Sequence, residues 1–266
     1  GTAGGSMASI LGTTTGSLTK SGTGTWTLTG ANTYTGSTVI SGGTLAIGGA
    51  GTLGGGSYAG AIINTATFNY ASSAAQTLSG VISGTAGTLI DSGTGTLTLT
   101  GANTYTGTTT INAGSSLVVG SLSNTTAKLG TGAITDNGNL LISRSGNLAL
   151  SGVISSATAT GGTGNITLQA TGTVTVDKTI TMTGASSAIY VEAGVNAAAN
   201  TSTVSDVTLS SVITTSATGT IVIFAGAPTT VSTATLSTKI ASTGATGSIQ
   251  YKTYNADLSS LSTIVT

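Results

Sequence analysis

Cysteine and histidine are both absent from this sequence, and there is one proline, Pro228. Without either of the two usual soft ligands, zinc fingers, disulfide scaffolds, Ser–His or Cys–His nucleophiles and ordinary haem sites are all excluded. Charge is almost missing too: six Lys+Arg and six Asp+Glu in 266 residues, net zero. The cations Lys20, Lys128, Arg144, Lys178, Lys239 and Lys252 are scattered, so the electrostatic footprint for nucleic acid or an anionic membrane is lacking. No apolar run reaches the ~18–20 residues of a membrane helix. Aromatics are 4% of the chain, and helix formers such as Glu, Lys, Arg and Gln are scarce.

What fills the chain is threonine, the commonest residue, and glycine, 42 residues, with 38% hydrophobic residues. That is too apolar for a disordered chain. The abundance of Thr, Val and Ile favours strands. Within segments the period is two. In Thr25-Trp26-Thr27-Leu28-Thr29 the apolar pair points one way and the threonines the other, and Thr96–Thr100, Thr173–Val176 and Thr179–Thr183 repeat the pattern. The strands are short and separated by Gly, Asn and Ser. Leu18, Trp26, Leu28, Leu89, Leu97, Leu99, Val174, Val176, Ile221 and Ile223 are the expected inward residues.

Two segments are nearly identical. Residues 21–36 read SGTGTWTLTGANTYTG and residues 92–107 read SGTGTLTLTGANTYTG, an offset of 71. A weaker echo, LSGVISG at Leu78, LSGVISS at Leu150 and LSSVITT at Leu209, runs further along the chain. A long internal repeat of short strands points to a solenoid. If 71 is three coils of about 24 residues, like side chains stack on like, and the chain makes about 11 coils, a rod of about 50 Å. The expectation is an all-β, single-stranded parallel β-solenoid forming one domain over 1–266. The clearest repeats are 18–48 and 89–120, with degenerate coils over 121–266.

These same residues carry a resemblance. LTKSGTGTWTLTGANTYTGSTVISGGTLAIG (18–48) and LIDSGTGTLTLTGANTYTGTTTINAGSSLVVG (89–120) resemble the passenger-associated β-strand repeat of bacterial autotransporters and related surface proteins. The Gly-Ala-Asn-Thr-Tyr-Thr-Gly core is the most specific part. The resemblance implies a right-handed parallel β-helix displayed outside a bacterial cell, serving as a stalk without catalytic residues. No signal peptide and no outer-membrane barrel segment is read, so a processed passenger, a piece of a larger chain or a protein that borrowed the repeat is expected.

Chemistry would need converging carboxylates. Asp91, Asp136, Asp177, Glu192, Asp206 and Asp257 lie far apart in sequence and are read as scattered solubilising charges. No catalytic, metal or cofactor site is expected, and no calcium-binding glycine-aspartate run is present. Asn32 and Asn103 are read as corner residues that tolerate a left-handed backbone and hydrogen-bond the next coil. Tyr34 and Tyr105 either cover an open corner of the core or offer stacking platforms to sugars. Trp26 is a core or end-plug residue.

The first function expected is a non-enzymatic extracellular structural or adhesive rod. Its partners would be other copies of itself, glycans or surfaces, with no nucleic acid and no membrane insertion by this segment. A second is a filament subunit joined end to end through Ile10 and Leu11 at one end and Leu261, Ile264 and Val265 at the other. A third is ice binding by stacked threonines.

Overall fold

The computed structural model describes residues 3–12, 15–156, 164–183, 187–195, 207–209, 211–215, 220–225, 240–242 and 248–253. Among them there is no α-helix, and one 3₁₀ turn, Gly54–Gly56. All strand pairs are parallel, and each strand pairs with one a whole coil away in sequence rather than with its chain neighbour. The molecule is an all-β parallel β-solenoid.

The chain divides into two compact units, residues 1–120 with 126–134, and residues 121–125 with 135–266. In the first unit one sheet stacks Gly5–Met7, Thr25–Leu28, Thr44–Gly49, Thr67–Ser72, Thr88–Asp91 and Thr109–Ile111 in chain order. A second side carries Leu18–Lys20, Thr38–Ile40, Ile62–Asn64 and Ile82–Ser83. A third carries Ser57–Tyr58, Gln76–Leu78, Leu97–Leu99 and Ser116–Ser121. The second unit repeats the plan, with six-residue strands Asn139–Arg144, Asn165–Ala170, Ala188–Ala193, Thr220–Ala225 and Ser248–Thr253 on its broadest side.

The alternation read from the sequence sets the inside and outside of each strand. Leu45, Phe68 and Leu89 are in register and buried, as are Leu28, Ile47 and Tyr70. Leu97, Leu99, Val174, Val176, Ile221 and Ile223 also face the interior, each at most 1% exposed, while Leu18 is half-buried. Each fully buried side chain of this size contributes ~1.5–3 kcal/mol. Because each coil touches only the coils above and below, this narrow core and the backbone ladder carry the stability.

Two expectations need correction. The coils are not of one length. In the first unit Thr25 is in register with Thr44, Thr44 with Thr67 and Thr67 with Thr88, whereas in the second Ile154 pairs with Ile180 and Ile180 with Ile213. The expected even division of the repeat into three equal coils therefore does not hold, because corners of different length separate the strands. Nor do the two repeat copies stack like on like. Leu18–Lys20 and Thr25–Leu28 lie on the second and first sides, but their counterparts Thr88–Asp91 and Leu97–Leu99 lie on the first and third. Three coils carry the chain from Thr25 to Thr88, so its repeat partner Thr96 falls one side further round.

Candidate functional site

The glycine-to-glycine motif at 30–36 and 101–107 crosses one side of the coil without forming a full strand. Its asparagine takes over the missing ladder. Asn103 is buried, its Oδ1 accepts from the Ile82 N–H at 2.8 Å, and its Nδ2 donates to the Lys128 carbonyl at 2.8 Å. Asn32 does the same, accepting from the Leu11 N–H at 3.0 Å and donating to the Gly30 and Thr52 carbonyls at 2.9 and 3.0 Å. One amide side chain thus stands in for a peptide group between the coil before and the coil after. Neither asparagine is left-handed; Ala86, at φ 61°, is the only described non-glycine residue with positive φ.

The tyrosines point into the core. Tyr34 and Tyr105 are at most 2% exposed, and each hydroxyl meets the threonine four residues on, Thr38 at 2.8 Å and Thr109 at 2.6 Å. Tyr58 joins the first pair, its ring edge-on to Tyr34 at 5.5 Å and its hydroxyl 2.8 Å from Thr38 Oγ1. Burial pushes the Tyr105 hydroxyl up to about 12 and raises Tyr34 and Tyr58 as well. The closing glycines are fixed by contact, since a Cβ on Gly36 or Gly107 would land on the carbonyl of Gly16 or Gly87 in the preceding coil. The asparagine and the closing glycine of the motif therefore hold neighbouring coils together, while the tyrosine closes on a threonine of its own coil.

That geometry is the setting for the comparison with known families. The family model described as passenger-associated-transport-repeat matches residues 18–47 and 89–119. Over these two segments the chain is similar to passenger-associated transport repeats. No curated protein and no solved structure matches the chain. The two transport repeats include both asparagine ladders and both tyrosine–threonine pairs, together with Lys20 and Asp91.

Gln76 is a ladder residue that the sequence did not reveal. Buried, it accepts from the Leu53 N–H at 2.7 Å and donates back to the Leu53 carbonyl at 3.1 Å. It lies outside the repeat segments, and only a lone amide at an inward position of an alternating strand, Gln76-Thr77-Leu78, could have signalled it.

The described acids do not form a cluster. Among the described residues no three of His, Cys, Asp and Glu gather. Asp177 pairs with exposed Lys178 at 3.0 Å. Asp206 and Asp257 lie outside the described residues. The reading of all six as solubilising charges fails for Asp91 and Asp136, which are fully buried at the inward ends of their strands. Burial pushes Asp136 up to about 8, against the Gly138 N–H, which donates to its Oδ1 at 3.1 Å.

Trp26 departs from its expected burial. It shares the inward side with Leu45 and Phe68, yet its residue is 41% exposed. Its register partner in the preceding strand is Gly5, which has no side chain to cover the ring. A cavity of about 490 Å³ opens there, lined among others by Met7, Leu11, Leu18, Lys20, Trp26 and Leu28. Of the expected end contacts, Ile10 is exposed and Leu11 is half-exposed, while Leu261, Ile264 and Val265 lie outside the described residues.

The outer wall of the first sheet carries threonines in register, Thr25, Thr44, Thr67 and Thr88, with Thr108 Oγ1 3.5 Å from Thr88 Oγ1. The row is one residue wide. The next outward column reads Thr27, Ala46, Asn69, Ile90 and Thr110.

Proposed function

We propose that this chain is a non-enzymatic structural or adhesive β-solenoid of an autotransporter passenger, displayed at or beyond a bacterial cell surface. The observation that carries the reading is the transport-repeat match at two segments of a parallel solenoid. The motif asparagines support it, because their amides are used between coils and leave the walls to neutral Thr, Ser and Asn. Such walls suit weak, multiple contacts with glycans or solid surfaces rather than a pocketed substrate. The test is protease shaving of intact cells that produce the chain with its native flanking regions. Release of fragments from intact cells supports display. Protection until the envelope is broken refutes it.

End-to-end self-association is the second reading, favoured by the exposed Trp26 ring and the apolar cavity beside it. Exposed apolar side chains lining a cavity are a contact surface for another chain. Trp26 is the sole tryptophan. Its emission should shift to the blue as protein concentration rises, in step with growth in particle size by light scattering. Growth without any change in emission would place the contact elsewhere. A monomer at all concentrations would end this reading.

A further inference from the structure

The two transport repeats place an ionisable side chain at the same position, Lys20 in one and Asp91 in the other, and both residues are buried. Their surroundings differ. The Lys20 ammonium donates to three carbonyls, Ser21 at 3.1 Å, Gly22 at 2.8 Å and Gly42 at 2.8 Å, which uses all of its protons. Asp91 is fully buried, and neither carboxyl oxygen has a hydrogen-bond partner. The nearby Gly93 N–H is spent on the Tyr70 carbonyl at 3.0 Å.

Among the described residues no opposite charge faces Asp91 to balance it. Its own strand offers Thr88, Leu89 and Ile90, and the strand after it offers Thr109, Thr110 and Ile111. The strand before it contributes Tyr70, in register with Asp91, and the Tyr70 hydroxyl donates to the Ala74 carbonyl. An ionised carboxylate in such a place loses its hydration and gains nothing, whereas the neutral acid loses far less.

We propose that Asp91 is held as the neutral acid in the folded solenoid and acts as a pH control on the first unit, tightening the coils around it in acid and loosening them as the surroundings become neutral. Burial pushes this carboxyl up to about 7 from 3.8, against a smaller opposing effect of the Gly93 N–H. The folded value is raised, so the full stability is present below about pH 4 and is lost progressively as pH rises to about 7. Above that the loss levels off. The proposal is independent of the surface role proposed above.

The experiment is urea unfolding of the whole chain, followed by far-UV circular dichroism from pH 4 to 9, for the wild type and Asp91→Asn. Asparagine keeps the shape of the neutral acid and cannot ionise. The two proteins should match near pH 4. Their unfolding constants should then diverge by about tenfold per pH unit, to about a thousandfold at pH 7, the variant being the more stable. Taking the difference cancels the contribution of Asp136. If the variant does not fold, amide exchange of wild-type Leu89 and Ile90, corrected for intrinsic chemistry, should lose protection over the same range. Parallel pH profiles, or protection that does not change with pH, would overturn the proposal. So would recovery of wild-type stability at pH 8 on adding calcium chloride, which would make Asp91 a cation ligand instead.

Discussion

Replacing Asn103 with leucine tests whether a side-chain amide holds successive coils together. The substitution keeps approximate volume and removes both bonds at once. Ile82, whose N–H loses its acceptor, is fully buried, so that donor is stranded away from water. A buried unsatisfied group of this kind costs ~1–3 kcal/mol. Lys128 is exposed, and its carbonyl recovers water, so losing this bond adds only its net worth of about 1 kcal/mol. The expected cost is therefore about 2–4 kcal/mol. Asn32→Leu is the internal comparison. Its donor partner Leu11 is half-exposed, and the Thr52 carbonyl keeps the Asn32 backbone N–H, so the same substitution should cost less. Native-state amide exchange reads the effect locally: the Ile82 amide should exchange about 30- to 900-fold faster in Asn103→Leu, which is the same free energy at ~1.4 kcal/mol per decade. Unchanged exchange at Ile82, or a larger loss for Asn32→Leu, would refute the view that these asparagines replace backbone ladder bonds.

Leu99→Ala should cost ~2–5 kcal/mol in urea unfolding, whereas Thr98→Ala on the opposite side of the same strand should stay within ~0.5 kcal/mol; equal costs would mean the faces are reversed. Ala86→Gly relieves the one positive φ at a described non-glycine residue and should raise stability by about 1 kcal/mol, read as a higher urea midpoint, and a loss would show that the turn is not strained. Asp136→Asn should remove a pH dependence of the second unit. The folded carboxyl is raised to about 8, so its contribution is present in acid and lost between about pH 4 and 8, and a variant as pH-sensitive as wild type would contradict this.

The low charge acquires a physical meaning in this fold. A globular domain of this size spreads charge over its surface for solubility. Here the backbone ladder satisfies most polar groups within the coils, and the side chains at the crossings, Asn32, Asn103 and Gln76, complete it. Threonine then serves on the outer walls, where its branched side chain suits a pleated strand.

Which side of each strand faces inward was legible in the sequence, because side-chain direction alternates residue by residue and depends on nothing distant. The parallel solenoid was legible as well, from short alternating strands, an internal repeat and the Gly-Ala-Asn-Thr-Tyr-Thr-Gly motif. The side of the coil on which each repeat copy lies was not. That depends on the summed lengths of all the corners between the copies, and three coils fall one side short of the repeat offset. Burial of Asp91 follows from the same sum, for it is a neighbouring coil that places Tyr70 beside it. Trp26 reverses the case: its inward direction is local, but cover for its ring had to come from the strand before it, and the register put Gly5 there. Direction is set within a strand, whereas enclosure is set by whichever residues the coils above and below bring into register, and only the tertiary structure decides that.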